Sequence, residues 1–359
     1  MKKSLALIMA LVMALSLIGT VSAEGEVYVF WYTFADVYLT SVREALNEAF
    51  DAKGIKFIDN DANATQATQS DQINTAISAG PAGLVVNQAE SGAAGIAQNI
   101  LDVAKAADLP IVFFNRAIST DDNEAKEIIL SYDKAAFVGT NFEQAGKMQG
   151  DLIGDYVLEN YDALDLNGDG VISYVMFKGD EANMEAISRT KYGVENADAK
   201  LEAAGKPVLK FYDDANENKY LVDQAGTWSN TASFEYMSTI LAQYNAANNN
   251  MIELVIANND DMALGAVNAL TNAGYNTGNE GDPVIPVFGV DATATAQELI
   301  ANGRMVGTIK QDAVGMADAV AVLIKNMIDG KDKFEGLNEN YVQVEGWRVD
   351  IPYSAYTGK

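Results

Sequence analysis

The sequence predicts an α/β fold of two doubly wound lobes, each a parallel sheet with helices on both faces. Short runs rich in Val, Ile, Phe and Tyr alternate along the chain with longer amphipathic patterns, an order typical of parallel sheets. About ten such runs are more strands than one open twisted sheet usually holds. The length of 359 residues also favours two domains.

Each predicted strand is a short β-rich run, and a helical pattern follows most of them. The strands lie at residues 27–32, 56–60, 83–87, 111–115, 137–140, 172–178, 208–212, 253–257, 284–290 and 306–309. The clearest helical patterns lie at residues 38–53, 64–79, 92–107, 143–159 and 184–204. In sheets of this kind ligands bind beyond the carboxyl ends of the strands, so function is expected from the residues that follow each strand.

The composition excludes several classes of site. The chain contains no Cys and no His, which excludes disulfides, thiolate chemistry, Ser-His-Asp triads and imidazole metal ligands. Acidic residues number 50 and basic residues 24, a net charge of −26. So negative a surface would be repelled by nucleic acid and by anionic lipid, so we expect neither as a partner. Carboxylates, amides, hydroxyls and aromatic rings are left to form a site.

Residues 1–23 have the pattern of a signal peptide. Lys2 and Lys3 precede an apolar run that begins at Leu5, and small residues lead to Ala23 just before Glu24. An N-terminal membrane anchor is the alternative, although the apolar run is shorter than the ~20 residues that a membrane span needs. We expect an exported, periplasmic protein.

Polar residues close the predicted strands in both halves of the chain. They are Tyr32, Asp36, Asn87, Asn115, Asn258, Asn259, Asp260 and Asp291. Asp and Asn are also favoured helix N-caps, so capping is an alternative explanation for each of them alone. Gathered on one rim, their acceptors and planar donors would suit a ligand rich in hydroxyl groups, such as a sugar.

Two aromatic residues are candidates for stacking on the CH faces of a sugar ring. Trp228 lies among polar turn residues, where a Trp is more often at a surface or a site than in a core. Tyr38 lies at the start of the first helical pattern, and a core position on that helix is its alternative.

Residues 165–173, DLNGDGVIS, resemble the calcium loop of an EF-hand. Oxygen-bearing side chains occupy loop positions one, three, five and nine, a Gly occupies position six, and position seven offers a backbone carbonyl. The acidic residue expected at position twelve is replaced by Met176, so another carboxylate must complete the site, and Glu253 would serve. We expect a structural Ca²⁺, with a metal-free acidic turn as the alternative. The expected ligands are Asp165, Asn167, Asp169, the carbonyl of Val171, Ser173 and Glu253.

Six stretches resemble the periplasmic galactose/glucose-binding proteins of sugar ABC transporters. They are VFFNR, SYDKAAFVGT, QGDLIGDY, DLNGDGVIS, ELVIANNDDMALGAV and IPVFGVD. The resemblance covers essentially the whole mature chain and implies a type I periplasmic binding protein fold, in which a three-segment hinge joins two Rossmann-like lobes. The implied crossings lie near Gly139, Lys310 and Pro352. The implied lobes are residues 24–138 with 311–350 and residues 139–310 with 351–359.

The resemblance implies binding and transport rather than catalysis. A member of this family captures a monosaccharide, here D-galactose or D-glucose, between two closing lobes and delivers it to an ABC permease, with a chemoreceptor as a further partner. We expect a monomer. The alternatives are a binding protein for a pentose or a sugar derivative, and a glycosidase that uses Asp36 and Asp291 as its two carboxylates.

The resemblance also implies roles for individual residues. The implied hydrogen-bonding residues are Tyr32, Asp36, Asn115, Arg189, Asn259 and Asp291, and the implied stacking residues are Tyr38 and Trp228. Asn183, Glu185 and Gln311 stand where the family has a His, an Asp and an Asn, so they are expected to contact the sugar with altered reach. Ser173 is shorter than the Gln usual in the calcium loop. The preferred sugar therefore stays open.

Overall fold

The computed structural model describes residues 25–358, so the predicted signal peptide lies outside the described residues. The chain forms two mainly parallel seven-stranded sheets. This confirms the predicted α/β fold class of two doubly wound lobes.

The first sheet has the order β12-β13-β5-β4-β3-β1-β2. Its strands are β1 (Val27–Trp31), β2 (Phe57–Asp61), β3 (Gly83–Val86), β4 (Ile111–Phe114), β5 (Ala135–Gly139), β12 (Val342–Val344) and β13 (Arg348–Asp350). The helices of this first lobe are α1 (Val37–Ala52), α2 (Gln66–Ala79), α3 (Ala94–Ala106), α4 (Asp122–Leu130) and α10 (Ala313–Ile328). Strands β3, β4 and β5 are buried along their whole length, because helices cover both faces of the sheet.

The second sheet has the order β14-β11-β10-β9-β6-β7, with β8 also paired to β6. Its strands are β6 (Ser173–Lys178), β7 (Lys210–Phe211), β8 (Leu221–Val222), β9 (Leu254–Ala257), β10 (Val287–Asp291), β11 (Gly307–Lys310) and β14 (Ser354–Tyr356). The helices of this second lobe are α5 (Phe142–Leu164), α6 (Met184–Ala203), α7 (Asn230–Leu241), α8 (Asp260–Asn272) and α9 (Ala294–Ala301). A short 3₁₀ helix spans Ala246–Asn248.

The chain passes between the two sheets after β5, after β11 and between β13 and β14. Helix α5 is longer than its sequence pattern predicts, because Tyr161 and Leu164 continue its buried face. Along residues 25–358, no helix combines the length and the apolar character needed to cross a membrane.

Candidate functional site

A cavity of about 330 Å³ lies between the two lobes, beyond the carboxyl ends of strands from both sheets. It is lined by Tyr32, Asp36, Tyr38, Asn115, Arg116, Asn183, Glu185, Arg189, Trp228, Asn259, Asp291 and Gln311. All eleven residues that the sequence nominates for sugar binding therefore line one cavity, together with Arg116.

Some of the polar strand ends lie behind this cavity and support its wall. The amide nitrogen of Asn87 donates to the side-chain oxygen of Asn115 at 3.2 Å, and its oxygen accepts from the backbone N–H of Tyr32 at 3.2 Å. Asn258 accepts from the N–H of Gly179 at 3.3 Å. These buried amides fix the positions of the residues that do line the cavity.

Asp36 serves as a helix cap and faces the cavity at once. Its Oδ1 accepts from the N–H of Leu39 at 2.8 Å, which caps α1, and its Oδ2 accepts from the hydroxyl of Tyr32 at 2.8 Å. Burial raises the pKa of Asp36, against the lowering effect of these two hydrogen bonds. Each carboxylate oxygen keeps a further lone pair, so capping and ligand binding are compatible.

Asn183 and Asn259 are N-caps in the second lobe. The side-chain oxygen of Asn183 accepts from the N–H groups of Glu185 and Ala186 at 2.9 and 3.1 Å, and that of Asn259 accepts from Met262 at 2.9 Å. Capping directs each oxygen into its helix, so a ligand can meet only the NH₂ group, and that of Asn183 already donates one hydrogen bond, to Ser91. The backbones of Asn115 and Asp291 have positive φ angles of 61° and 122°, strained conformations of a kind that clusters at functional sites.

Arg189 is the buried positive charge of the site. Its Nη1 donates to the carbonyl of Asn258 at 2.9 Å, and its Nη2 donates to Glu185, Gln311 and the hydroxyl of Tyr353 at 3.1, 2.9 and 3.0 Å. Burial lowers the pKa of Arg189, but Tyr353, Glu185 and Asp291 outweigh it, so the net pKa is raised. The guanidinium therefore stays charged.

Two buried donors on the cavity wall have no protein acceptor. They are Nε of Arg189 and Nε2 of Gln311. An unpaired buried donor costs about 1–3 kcal/mol. A ligand with hydroxyl oxygens would remove that cost.

Trp228 lies flat against the end of β6. A methyl group at Gly179 would overlap Cδ2 of its ring, so only a Gly permits this position. The guanidinium of Arg189 lies 5.7 Å from the ring centroid of Trp228. Tyr38 lines the cavity and also belongs to the core of the first lobe, where its hydroxyl approaches the sulfur of Met316 at 3.8 Å.

Arg116 is the lining residue that the sequence reasoning missed. Its guanidinium stacks on the ring of Tyr32 at 4.1 Å, and its Nη2 donates across the cleft to Asp180 at 3.2 Å. A second contact between the lobes joins Asn183 to Ser91 at 3.3 Å. Its position in the sequence could have identified it, because Arg116 directly follows Asn115 at the end of a buried strand. With these contacts the cleft is shut.

A second buried carboxylate, Asp260, lies beside Asp291. It accepts from the hydroxyl of Thr308 at 2.6 Å and from the N–H of Thr293 at 2.7 Å, and it is only 2% exposed. Burial raises the pKa of Asp260 to about 7. Burial also raises the pKa of Asp291 well above its usual value, with Arg189 opposing the rise.

This burial predicts that Asp260 makes the folded state less stable as pH rises. An unfolded Asp ionises near pH 3.9, so between about pH 4 and 7 the folded state holds more protons and the free energy of unfolding falls as pH increases. Relative to Asp260→Asn, the ligand-free wild type should lose up to about 1.4 kcal/mol per pH unit across this window. Urea unfolding of both proteins at several pH values measures the difference. A difference that does not change with pH would contradict the prediction.

The predicted calcium loop is closed by its own side chains. The carboxylate of Asp165 accepts from the N–H groups of Asp169 and Gly170 at 3.0 and 2.9 Å, and Asp169 accepts from Val171 at 2.9 Å. The side-chain oxygen of Asn167 also accepts from the N–H of Asp169, at 2.9 Å. These hydrogen bonds hold three oxygen-bearing side chains of the loop on one turn.

Glu253 lies beside this loop, where the sequence requires an extra carboxylate. It accepts from the N–H groups of Leu166 and Ser173 at 2.7 and 2.8 Å, and burial raises its pKa. Ser173 turns its hydroxyl to the carbonyl of Met251 at 2.5 Å. The all-oxygen donor set suits a hard cation. Across residues 25–358, however, no three acidic side chains are arranged to hold a metal ion.

Comparison with known proteins is consistent with this architecture. Residues 27–332 match the periplasmic binding protein domain family. The chain is 34% identical over 333 residues to the D-galactose/methyl-galactoside binding periplasmic protein of Haemophilus influenzae. The aligned region covers 92% of this chain and 89% of that protein.

Two solved structures share the fold. One is an ABC transporter solute binding protein from Bacillus halodurans with bound myo-inositol, with a TM-score of 0.67 and 22% identity over 94% of this chain and 96% of that chain. The other is an ABC transporter periplasmic solute binding protein from Actinobacillus succinogenes with bound D-allose, with a TM-score of 0.68 and 17% identity over 93% of this chain and 98% of that chain.

Proposed function

Because the chain belongs to the periplasmic binding protein family, we propose that it captures a monosaccharide between its two lobes and delivers it to the permease of an ABC transporter. The two unpaired donors of Arg189 and Gln311, on a wall that also carries the acceptors Asp36 and Asp291, are the observation that carries this proposal. A sugar hydroxyl is donor and acceptor at once, so a polyol can satisfy both kinds of group.

Closure of the cleft supplies the mechanism. The lining residues come from both lobes, so a bound sugar contacts the full set only when the lobes are shut. A ligand shifts a conformational equilibrium by its differential affinity for the two states. The sugar therefore favours the closed form, and the permease would recognise the surface that closure creates. Membership of the family supports three further parts of the proposal. We propose that a chemoreceptor also recognises the closed surface, that the protein is a monomer and that it is periplasmic.

We propose D-galactose or D-glucose as the ligand. The 34% identical relative is a D-galactose/methyl-galactoside binding protein, which supports this choice. Structural neighbours are bound to myo-inositol and D-allose, so the fold accommodates several polyols. Asn183, Glu185 and Gln311 are the positions at which we expect the preference among sugars to be set.

Titration calorimetry with D-galactose, D-glucose, D-allose, D-xylose, L-arabinose, ribose and myo-inositol tests the function. The expected result is one-to-one binding with D-galactose or D-glucose the tightest. Failure of every sugar to bind at millimolar concentration would contradict it. Steady release of nitrophenol from nitrophenyl glycosides would favour a glycosidase instead.

We further propose that the loop at residues 165–173 binds a structural Ca²⁺ with Glu253. The ligands would be Asp165, Asn167, Asp169, the carbonyl of Val171, Ser173 and Glu253. Their oxygen chemistry and spacing support this, and each carboxylate oxygen that accepts one N–H has a second lone pair for a cation. The ion would tie the loop to the start of β9 rather than take part in sugar binding.

Glu253→Gln is expected to remove the gain in melting temperature that Ca²⁺ gives. A metal that binds only the folded state stabilises it by mass action, so the wild type should melt higher in excess Ca²⁺ than in a chelator. Glu280→Gln, which removes the same charge at an exposed position, is the matched control and should keep the gain. Equal losses for Glu253→Gln in Ca²⁺ and in chelator would count against a metal.

A further inference from the structure

Tyr353 lies at a junction between the site and the segments that connect the lobes. It precedes β14 in the third connection, and 5% of it is exposed. Its hydroxyl accepts from Nη2 of Arg189 at 3.0 Å and lies 3.0 Å from Oε1 of Glu185 and 3.1 Å from Oγ1 of Thr140. Tyr353 does not line the ligand cavity. It can therefore influence a ligand only through Arg189 and Glu185, which do.

All three connections between the lobes reach the same ion pair. Thr140 directly follows β5 and donates to Oε1 of Glu185 at 2.7 Å. Gln311 directly follows β11 and accepts from Nη2 of Arg189 at 2.9 Å. Tyr353 contacts both members of the pair, which themselves lie 3.1 Å apart on α6. One buried pair on the cavity wall thus has a hydrogen-bond partner in each connecting segment.

This arrangement ties the geometry of the site to the angle between the lobes. Lobe rotation requires backbone changes in the connecting segments, and Thr140, Gln311 and Tyr353 are the residues at which these segments meet the second lobe. The guanidinium of Arg189 has a rigid planar set of donors, so its orientation depends on where its acceptors lie.

On the premise of the function proposed above, we propose that Tyr353 is a positioning residue that couples the hinge to the ligand contacts of Arg189 and Glu185. In the closed state its hydroxyl hydrogen-bonds to both Arg189 and Glu185 and holds the two side chains toward the ligand. When the hinge opens, the hydroxyl withdraws and the pair loses that orientation. Release of the ligand and opening of the lobes then occur together.

The test is Tyr353→Phe, which removes one hydroxyl and keeps the ring. Tyr356→Phe is the matched control, because Tyr356 lies three residues later in β14 and is only half buried. Calorimetry with the sugar that the wild type binds best gives Kd. Stopped-flow fluorescence gives the association and dissociation rates. Small-angle scattering of the saturated protein gives its radius of gyration.

Tyr353→Phe is expected to weaken binding about tenfold, the effect of one hydrogen bond to a charged group. The dissociation rate should rise more than the association rate falls, and the saturated protein should be less compact than the wild type. Thr140→Val, which removes the other hydroxyl on Glu185, should shift Kd in the same direction. Tyr356→Phe should match the wild type.

Affinity and dissociation rate within twofold of the wild type for Tyr353→Phe would overturn the coupling while leaving sugar binding intact. A lower melting temperature with unchanged Kd would also overturn it, because that result assigns the hydroxyl a structural role alone. A wild type that binds no sugar would overturn the proposed function itself.

Discussion

Replacing Arg189 by Met is expected to abolish sugar binding and to lower the free energy of unfolding by about 3–5 kcal/mol, the usual cost of removing one partner from a buried ion pair. The substitution leaves the largely buried carboxylate of Glu185 without the guanidinium that pairs with it. It also removes the positive charge nearest to Asp291, whose Oδ1 lies 4.0 Å from Nη1 of Arg189. The carbonyl of Asn258 would lose its donor as well.

Urea unfolding and calorimetry measure the two effects. Lys191→Met, on an exposed position of the same helix, is the matched control and should change stability by no more than about 0.5 kcal/mol. The loss for Arg189→Met should be smaller at pH 5 than at pH 8, because burial raises the pKa of Asp291, and its protonation removes part of the uncompensated charge. A loss of stability below 1 kcal/mol at both pH values would contradict the prediction, because it would show that folding does not need the charge of Arg189.

Arg189→Lys separates the two consequences. Lys keeps the positive charge but replaces a planar set of donors with a single ammonium group, which cannot reach Asn258, Gln311 and Tyr353 together. It should recover part of the stability and little of the affinity. Full recovery of affinity would mean that Arg189 acts as a charge alone.

The lining of the site could be predicted because its residues occupy positions set by local sequence. Asp36 and Asn115 follow strands and Asp291 ends one, and strand ends in a parallel α/β sheet share one edge. The alternation of strands and helices follows from the hydrophobic pattern alone. Both the fold class and the residues at the rim of the cavity could therefore be predicted from the sequence. The resemblance to a known family added Arg189, Asn183, Glu185 and Gln311.

Other features depend on contacts that no local pattern encodes. Arg116 pairs with Asp180 across the cleft, 64 positions away, and Tyr353 contacts Arg189 at a separation of 164. The first contact exists only because the lobes meet, and the second only because the chain returns to the second lobe after β13. The three-residue strand β12 is likewise too short to have a readable period. What the sequence conceals is therefore how segments that lie far apart in the chain come together, within a lobe and between the lobes.

Trp228→Ala is expected to weaken sugar binding by ~1–3 kcal/mol, roughly 5- to 150-fold in Kd, while the fold stays intact. The ring covers the backbone of Gly179 and extends the cavity wall toward Arg189. Removing it deletes the apolar plate on which a sugar ring would stack and admits water to the polar wall. Calorimetry with the preferred sugar measures the loss.

Backbone strain at this position allows a sharper comparison. Trp228 has a φ of 59°, a left-handed conformation that Ala adopts as reluctantly as Trp does and that Gly adopts freely. If the ring itself binds the sugar, Trp228→Gly and Trp228→Ala should lose the same affinity, and Trp228→Phe should retain most of it. If the affinity instead depended on loop conformation, Trp228→Gly would differ from Trp228→Ala and Trp228→Phe would not rescue. Unchanged affinity in all three variants would place the aromatic plate elsewhere, and Tyr38 on the opposite lobe would be the remaining candidate.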